Sequence, residues 1–196
     1  VPRESSEFQD LPPTSYALLG LLSFGPELTG YELKQWADST LGFYWVAPAM
    51  SQVYTELTRL DRLGLVESRE DSRAGRRPAR RYKISTAGLT ELRRWLTETP
   101  IEFPVLKHPA ALRLLLGHLV DVDVTRQMLD GYLRQLDERR AALQQVRDNL
   151  GADAQYRFPA EVAEWGLAYY DFEARTAAEI ASRLADADPP TADHEQ

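Results

Sequence analysis

The sequence predicts a mainly α chain: a helix-turn-helix unit that ends in a two-stranded wing, followed by an α-helical part. Three observations predict it. First, Val53, Leu57, Leu60 and Leu63 recur at spacings of four, three and three, one face of a 3.6-residue helix, and Gly64 follows as a stop. Second, the stretch from Arg69 to Lys83 holds seven basic residues against two acidic ones, a net of +5 in a chain of net charge −7. Such a local reversal of sign is the electrostatic footprint of a surface that meets phosphates. Third, from Val124 onward two long stretches carry apolar residues every three or four positions, the pattern of amphipathic helices that need to bury a stripe.

Composition narrows the function classes. The chain has 196 residues, 43% hydrophobic and 27% charged, enough apolar material for a core, and no cysteine. Disulfides, thiolate metal sites and cysteine nucleophiles are thereby excluded, which fits a reducing, cytoplasmic setting. No run reaches the length of a membrane span, and the first residues do not read as a signal peptide. Residues 1–100 carry 13 basic and 13 acidic side chains, whereas residues 101–196 carry 10 and 17. The second half therefore repels nucleic acid, and any such contact belongs to the first. The histidines His108, His118 and His194 stand far apart, and no zinc-protease, phosphate-loop, dinucleotide or nucleophile-elbow motif is present. Neither catalytic residues, nor a metal, nor a cofactor is expected.

Each element has its own signal. Residues 1–13 read as a loose arm. Thr14 caps a first helix, Ser15 to Phe24, broken by Gly25-Pro26. Thr29 with Glu32 three residues on is a capping box that opens a second helix running to Leu41. Its candidate core contacts are Tyr31, Trp36 and Leu41, with Leu33 in part. An aromatic loop (Phe43, Tyr44, Trp45) leads to the third helix, Ser51 to Leu63, which starts without a side-chain cap before Ser51. Its other faces carry Gln52, Thr55, Glu56, Arg59 and Arg62, with Tyr54 at the rim of the buried face. Leu65–Arg69 and Arg80–Ile84 form the strands of the wing, with Gly75 and Pro78 in the turn. Ser85 or Thr86 caps a fourth helix to Thr99.

These residues carry a resemblance. In order they include Leu19-Gly20-Leu21-Leu22, Gly25-Pro26, Thr29-Gly30-Tyr31-Glu32-Leu33, Trp45, Ser51-Gln52-x-Tyr54-x-x-Leu57-x-x-Leu60, Gly64-Leu65-Val66, Gly75-Arg76-x-Pro78-x-Arg80-x-Tyr82 and Thr86-x-x-Gly88. Over residues 14–98 the chain resembles the PadR family of bacterial transcriptional regulators. The resemblance implies a winged helix-turn-helix fold acting as a homodimer on an inverted-repeat operator in double-stranded DNA, usually as a repressor. It also implies that Gln52, Tyr54 and the basic wing residues touch DNA. The full candidate set is Ser51, Gln52, Tyr54, Thr55 and Arg59 on the helix with Arg73, Arg76, Arg77, Arg80 and Arg81 on the wing. Gln52, Thr55 and Arg59 are placed to read base edges, and the wing arginines to hold backbone.

The second half follows a proline-punctuated linker, residues 100–109, in which Ile101, Phe103, Val105 and Leu106 imply packing. A short helix from Ala110 to Leu119 comes next, then Asp121 and Asp123, better read as helix caps than as a metal loop. Leu129, Leu133 (or Tyr132), Leu136, Leu143, Val146 and Leu150 give the long helix Val124–Leu150 a seam near a 3.5-residue period, interrupted at Arg139-Arg140. After Pro159, Val162, Trp165, Tyr169, Phe172, Thr176, Ile180 and Leu184 step by three or four. Residues 110–187 thus form an α-helical domain, and 188–196 a disordered tail. Leu106-Lys107-His108-Pro109 and Trp165-Gly166-Leu167-Ala168-Tyr169 resemble the C-terminal domain of virulence-activator-type PadR regulators, which implies dimerisation through these helices. Leu129, Leu136, Leu143, Trp165, Tyr169, Phe172 and Ile180 are the candidates; periodicity alone equally allows a hairpin within one chain. Some relatives respond to phenolic or drug-like aromatics, so Trp95, Trp165 and Tyr169 are candidates for a small aromatic effector, against the plainer reading that they are core. The rival function is a winged-helix scaffold for protein or ligand that does not bind specific DNA. An RNA duplex fits less well, because its deep, narrow major groove hides the base edges.

Overall fold

The computed structural model describes residues 11–43, 47–71, 79–104 and 107–186, and the chain divides into two compact units, Val1–Glu102 and Phe103–Gln196. The N-terminal arm up to residue 10 and the tail from 187 lie outside the described residues, as do Tyr44, Trp45, Val105 and Leu106. In the first unit α1 (Pro13–Leu22) begins two residues before the expected Ser15, because Pro13 at its first position needs no intrahelical donor. Thr14 lies inside this helix, and Pro12 at the N-cap makes no side-chain bond. Leu18, Leu19 and Leu22 are fully buried.

β1 (Leu28–Thr29) is a short strand that the sequence did not announce, and α2 (Gly30–Thr40) starts from it. The capping box is present: Glu32 N–H donates to Thr29 Oγ1 (3.2 Å), and Thr29 N–H to Glu32 Oε2 (2.8 Å). The buried face of α2 is Leu33 and Ala37; Tyr31, an expected core contact, is exposed. A 3₁₀ turn, Leu41–Phe43, ends this stretch.

α3 (Met50–Arg62) turns Val53, Leu57 and Leu60 inward. Leu63, expected on the same stripe, is the C-cap and is exposed; the fourth inward residue is Glu56. Gly64 has φ 69°, its N–H donates to the Asp61 carbonyl (3.0 Å), and Leu65 N–H donates to the Leu60 carbonyl (2.9 Å). That pair of bonds is a Schellman cap, and the left-handed residue between them favours glycine. β2 (Val66–Asp71) and β3 (Ala79–Ile84) pair antiparallel from Val66 opposite Ile84 to Asp71 opposite Ala79. β1 adds to the other edge of β3, Leu28 opposite Tyr82, so the sheet has three strands in the order β1-β3-β2.

α4 (Thr86–Glu98) is capped by Ser85, whose hydroxyl accepts from Gly88 N–H (3.0 Å) and donates to the Gly64 carbonyl (2.7 Å). One side chain thus joins the end of α3 to the start of α4. Tyr16 stacks on Trp95 (centroids 4.6 Å, planes 11° apart) and donates to Glu91 Oε1 (2.9 Å). Arg94, paired with Glu91 at 2.6 Å, holds that carboxyl below the ordinary glutamate range against the opposing effect of burial.

In the second unit, α5 (Pro109–Leu115) ends before the expected Leu119, and a 3₁₀ turn, Gly117–Leu119, follows. α6 (Val122–Leu150) has Asp121 at its N-cap, without a side-chain bond. α7 (Arg157–Asp186) begins before Pro159, which is tolerated because the first turn of a helix has no intrahelical donors to lose. α6 and α7 form an antiparallel hairpin, tied by Arg147 to Glu164 (2.6 Å) and by Arg140 to Asp171. Its interior holds Leu129, Leu136, Leu143, Ala163, Leu167, Tyr170 and Ala177. His108 caps α5 by accepting from Ala111 N–H (3.1 Å), while its Nε2 meets Glu173 (2.8 Å). Tyr132 donates to the same carboxylate (2.9 Å); burial first, then that carboxylate, push its hydroxyl above the ordinary tyrosine range. Ile101 and Phe103, expected to pack, are almost fully exposed at 99% and 93%.

Gly88 has the least room of the described glycines in the first unit, since a Cβ there would lie 2.1 Å from the Leu65 carbonyl oxygen and 2.9 Å from Ile84 Cγ1. Gly88→Ala should therefore lower stability by about 1–3 kcal/mol, the cost of overpacking. Gly20→Ala, in the middle of α1 with nothing within 4 Å, should raise it by about 0.5–1 kcal/mol. Urea unfolding of both variants checks the contrast.

Candidate nucleic-acid interface

The outward face of α3 is built by subtraction. With Val53, Glu56, Leu57 and Leu60 committed inward, Ser51, Gln52, Tyr54, Thr55, Thr58, Arg59 and Arg62 are left exposed. Gln52 Oε1 accepts from Ala49 N–H (2.9 Å), so this side chain supplies the cap that Ala49 cannot, leaving the amide NH₂ for an outside partner. The Thr55 hydroxyl donates back to the Ser51 carbonyl (2.9 Å) and keeps its acceptor capacity and its methyl group outward. Tyr54 is half exposed, and its ring lies over Gly30: a Cβ on that glycine would sit 2.6 Å from Tyr54 Cε1. A side chain at position 30 would have to displace the Tyr54 ring, so the glycine lets that ring lie close on the start of α2.

The wing arginines divide. Arg73, Arg76 and Arg77 lie outside the described residues. Arg80 on β3 is exposed and stands 3.7 Å from Asp61 Oδ2. Arg81, on the opposite face of the strand, is mostly covered. Its guanidinium donates to Asp71 Oδ2 (2.9 Å), to the Glu27 carbonyl (2.8 Å) and to Glu32 Oε2 (3.3 Å). Arg69 likewise pairs with Glu27, Nε to Oε2 at 2.7 Å. Besides Arg80 beside Asp61, these two of the basic residues counted in the sequence are therefore engaged within the unit. Their partners lie 42 to 54 residues away apart from Asp71, so no local pattern could reveal them. Glu56 was legible in retrospect: three residues after Val53 and four before Leu60, it falls on the apolar stripe.

The other candidates fall as follows. Trp95 stacks on Tyr16 within the first unit. Trp165 (77%) and Phe172 (55%) are exposed on α7, as is Tyr169 (40%), whose ring lies 5.8 Å from that of Tyr170. Leu129, Leu136 and Leu143 are buried against α7 of the same chain, and Ile180 is half buried. Among the described residues no cluster of histidine and carboxylate side chains is placed to hold a metal, and no helix is long and apolar enough to cross a membrane.

Residues 18–94 match the family model described as the transcriptional regulator PadR-like family. Among curated proteins, the negative transcriptional regulator PadR of Bacillus subtilis is 28% identical over 132 residues, 67% of this chain and 70% of that one. A probable transcriptional regulator of Mycobacterium tuberculosis is 33% identical over 70 residues, 36% of each. Among solved structures, Bacillus subtilis PadR in complex with operator DNA superposes with a TM-score of 0.77 at 21% identity, covering 87% of this chain and 98% of that one. The same regulator in complex with p-coumaric acid gives 0.71 at 22% identity over 87% and 98%. The virulence activator AphA of Vibrio cholerae gives 0.68 at 20% identity over 88% and 98%. At these identities the structural likeness establishes the fold.

The carboxylate knot beneath the wing has a pH signature. The Thr29 N–H bonded to Glu32 holds its carboxyl below the ordinary glutamate range; burial opposes this, and the Thr29 hydroxyl and Arg81 add to it. A depressed pKa contributes stability that is complete above the unfolded value of about 4.3 and is lost as pH falls through the lower folded value. Stability of the wild type should fall over that window, and Glu32→Gln, already lacking the contribution, should show a shallower fall in urea titrations from pH 6 downward.

Proposed function

We propose, from the match of residues 18–94 to the PadR-like family of transcriptional regulators and the 28% identity to a negative regulator of that kind, that this chain is a PadR-like transcriptional regulator and acts as a homodimeric, cytoplasmic repressor on an inverted-repeat operator. In this reading, two copies of α3 enter successive major grooves about 34 Å apart. Gln52, Thr55 and Arg59 read base edges, Ser51 and Tyr54 fix the helix against backbone, and Arg73, Arg76, Arg77 and Arg80 hold flanking phosphates. Arg81 leaves the contact set and becomes the support of the wing. The observation that carries the reading is the outward face of α3, where polar residues with free donors and acceptors stand together beside the exposed Arg80. The wider, accessible major groove of B-DNA is the surface such a helix fits.

The domain boundaries of this reading are residues 14–99 for the winged helix-turn-helix part and 110–187 for the dimerising part, joined by 100–109. Dimerisation would use the exposed Trp165, Tyr169 and Phe172, with Ile180 at the edge. Leu129, Leu136 and Leu143 would act indirectly, by holding α6 against α7. A small aromatic molecule is the proposed effector class, supported by the relative solved with p-coumaric acid. Trp95, Trp165 and Tyr169 remain its candidate contacts. Such an effector releases DNA only through a differential affinity for two arrangements of the dimer.

Fluorescence anisotropy on DNA upstream of the chain's own gene, against scrambled DNA over a salt series, tests the reading. Selective, salt-dependent binding is expected; equal weak binding to both duplexes would favour the scaffold alternative. Replacing Arg76, Arg77 and Arg80 by Ala should weaken binding to every sequence and reduce the slope of log K against log salt by about 0.9 per lost phosphate contact. Arg81→Ala should instead lower the melting temperature and leave that slope as it is. For assembly, deleting α7 is uninformative because it also strips the hairpin core. Trp165→Arg with Phe172→Arg keeps that core and should convert dimers to monomers in sedimentation velocity runs; a persistent dimer would move the interface elsewhere.

A further inference from the structure

Glu56 is a carboxylate on the buried stripe of α3, 8% exposed, and the residue it meets on α1, Ser15, is fully buried. The Ser15 hydroxyl donates to Glu56 Oε2 across 41 residues of sequence. The same oxygen lies 3.5 Å from Nε of Arg59, whose side chain is 46% exposed on the outward face. One carboxylate oxygen therefore joins α1, the inward side of α3 and an outward arginine.

We propose that the Ser15–Glu56 hydrogen bond fixes the roll of α3 about its own axis, which makes Glu56 a positioning residue for sequence recognition. The inference rests on the DNA-reading function proposed above. Contacts of Val53, Leu57 and Leu60 with the core are non-directional, so a small roll changes little of the buried area. A hydrogen bond is directional and short-ranged, and its usable donor–acceptor range spans about 0.5 Å. On a helix of about 5–6 Å radius, a roll of about 10° shifts an outward side-chain tip by about 1 Å. That shift is enough to break a base contact, and it leaves a phosphate contact by a long flexible arginine nearly intact. The pair thus bears on discrimination between sequences and much less on affinity for DNA in general. The choice of residues agrees: an apolar side chain at position 56 would complete the stripe, and a buried polar pair in that place is a device for specificity more than for stability.

The test uses the full-length chain and two duplexes, one selected by the wild type from a random-sequence pool and one scrambled from it. Ser15→Ala with Glu56→Leu removes both polar partners together, so no buried group is left unpaired and the variant keeps its fold. Its melting temperature should match or exceed that of the wild type. The ratio of selected to scrambled affinity should fall about tenfold, the scale of one lost base contact, while affinity for the scrambled duplex changes less than twofold. Glu56→Gln, which keeps an acceptor for Ser15 and loses the charge beside Arg59, should retain most of the ratio. An unchanged ratio in the folded double variant overturns the proposal and leaves DNA recognition standing. Failure of the wild type to enrich any sequence overturns the DNA-reading function, and this inference with it.

Discussion

The first unit depends on one guanidinium. Arg81 reaches from β3 to Asp71 on β2, to the carbonyl of Glu27 just before β1, and to Glu32 in the first turn of α2. It ties together the two strands of the wing and the helix that packs on α3. Glu32 is shared between this arginine and the Thr29 capping box. The start of α2 and the base of the wing are thus held by the same carboxylate. The short pairing of β1 with β3 makes this possible, because it brings Glu27 and Thr29 to the edge of the strand that carries Arg81.

That arrangement changes how the charge of the hairpin is read. A run of arginines counted along the sequence treats each as equivalent. On a strand, successive side chains point to opposite faces, so Arg80 and Arg81 cannot share a role. Arg80 lies on the strand face of Tyr82 and Ile84 and extends past them toward Asp61 of α3, while Arg81 lies on the other face, toward Glu27 and Glu32. The excess of positive charge was legible, because it is a sum. The division of labour was not, because it depends on partners 42 to 54 residues away that only the third strand brings close.

The same distinction explains the rest of what the sequence disclosed. Features governed by local geometry were readable: the capping box at Thr29, the glycine stop at Gly64, the apolar period of α3, the Ser85 start of α4. Features governed by a neighbour in space were not. Leu63 has the right spacing for the core but falls on the cap, where the chain has already turned away. Glu56 has the right spacing too, but only the hydrogen bond from Ser15, 41 residues away, lets its carboxylate stay inside. Pro159 marked the start of α7 too late, since a helix can begin ahead of a proline that stands in its first turn.

The second unit shows what periodicity can and cannot decide. α7 carries two apolar stripes. The one evident in the sequence, through Trp165, Tyr169 and Phe172, remains on the surface. The one that packs on Leu129, Leu136 and Leu143 of α6 is quieter: Ala163, Leu167, Tyr170 and Ala177. The two alanines in it let the helices approach closely where they stand. A Cβ on Gly166 would come within 2.6 Å of Leu143 Cδ2, so the contact is tight there as well. A hairpin within the chain and an interface between chains are therefore not alternatives for these helices. The hairpin consumes the stripe of Ala163, Leu167, Tyr170 and Ala177 and leaves that of Trp165, Tyr169 and Phe172 open. Aromatic side chains are the type that concentrate at the centres of protein interfaces. A stripe of them, left open after the helix has satisfied its own core, is the physical ground for expecting a second copy to cover it.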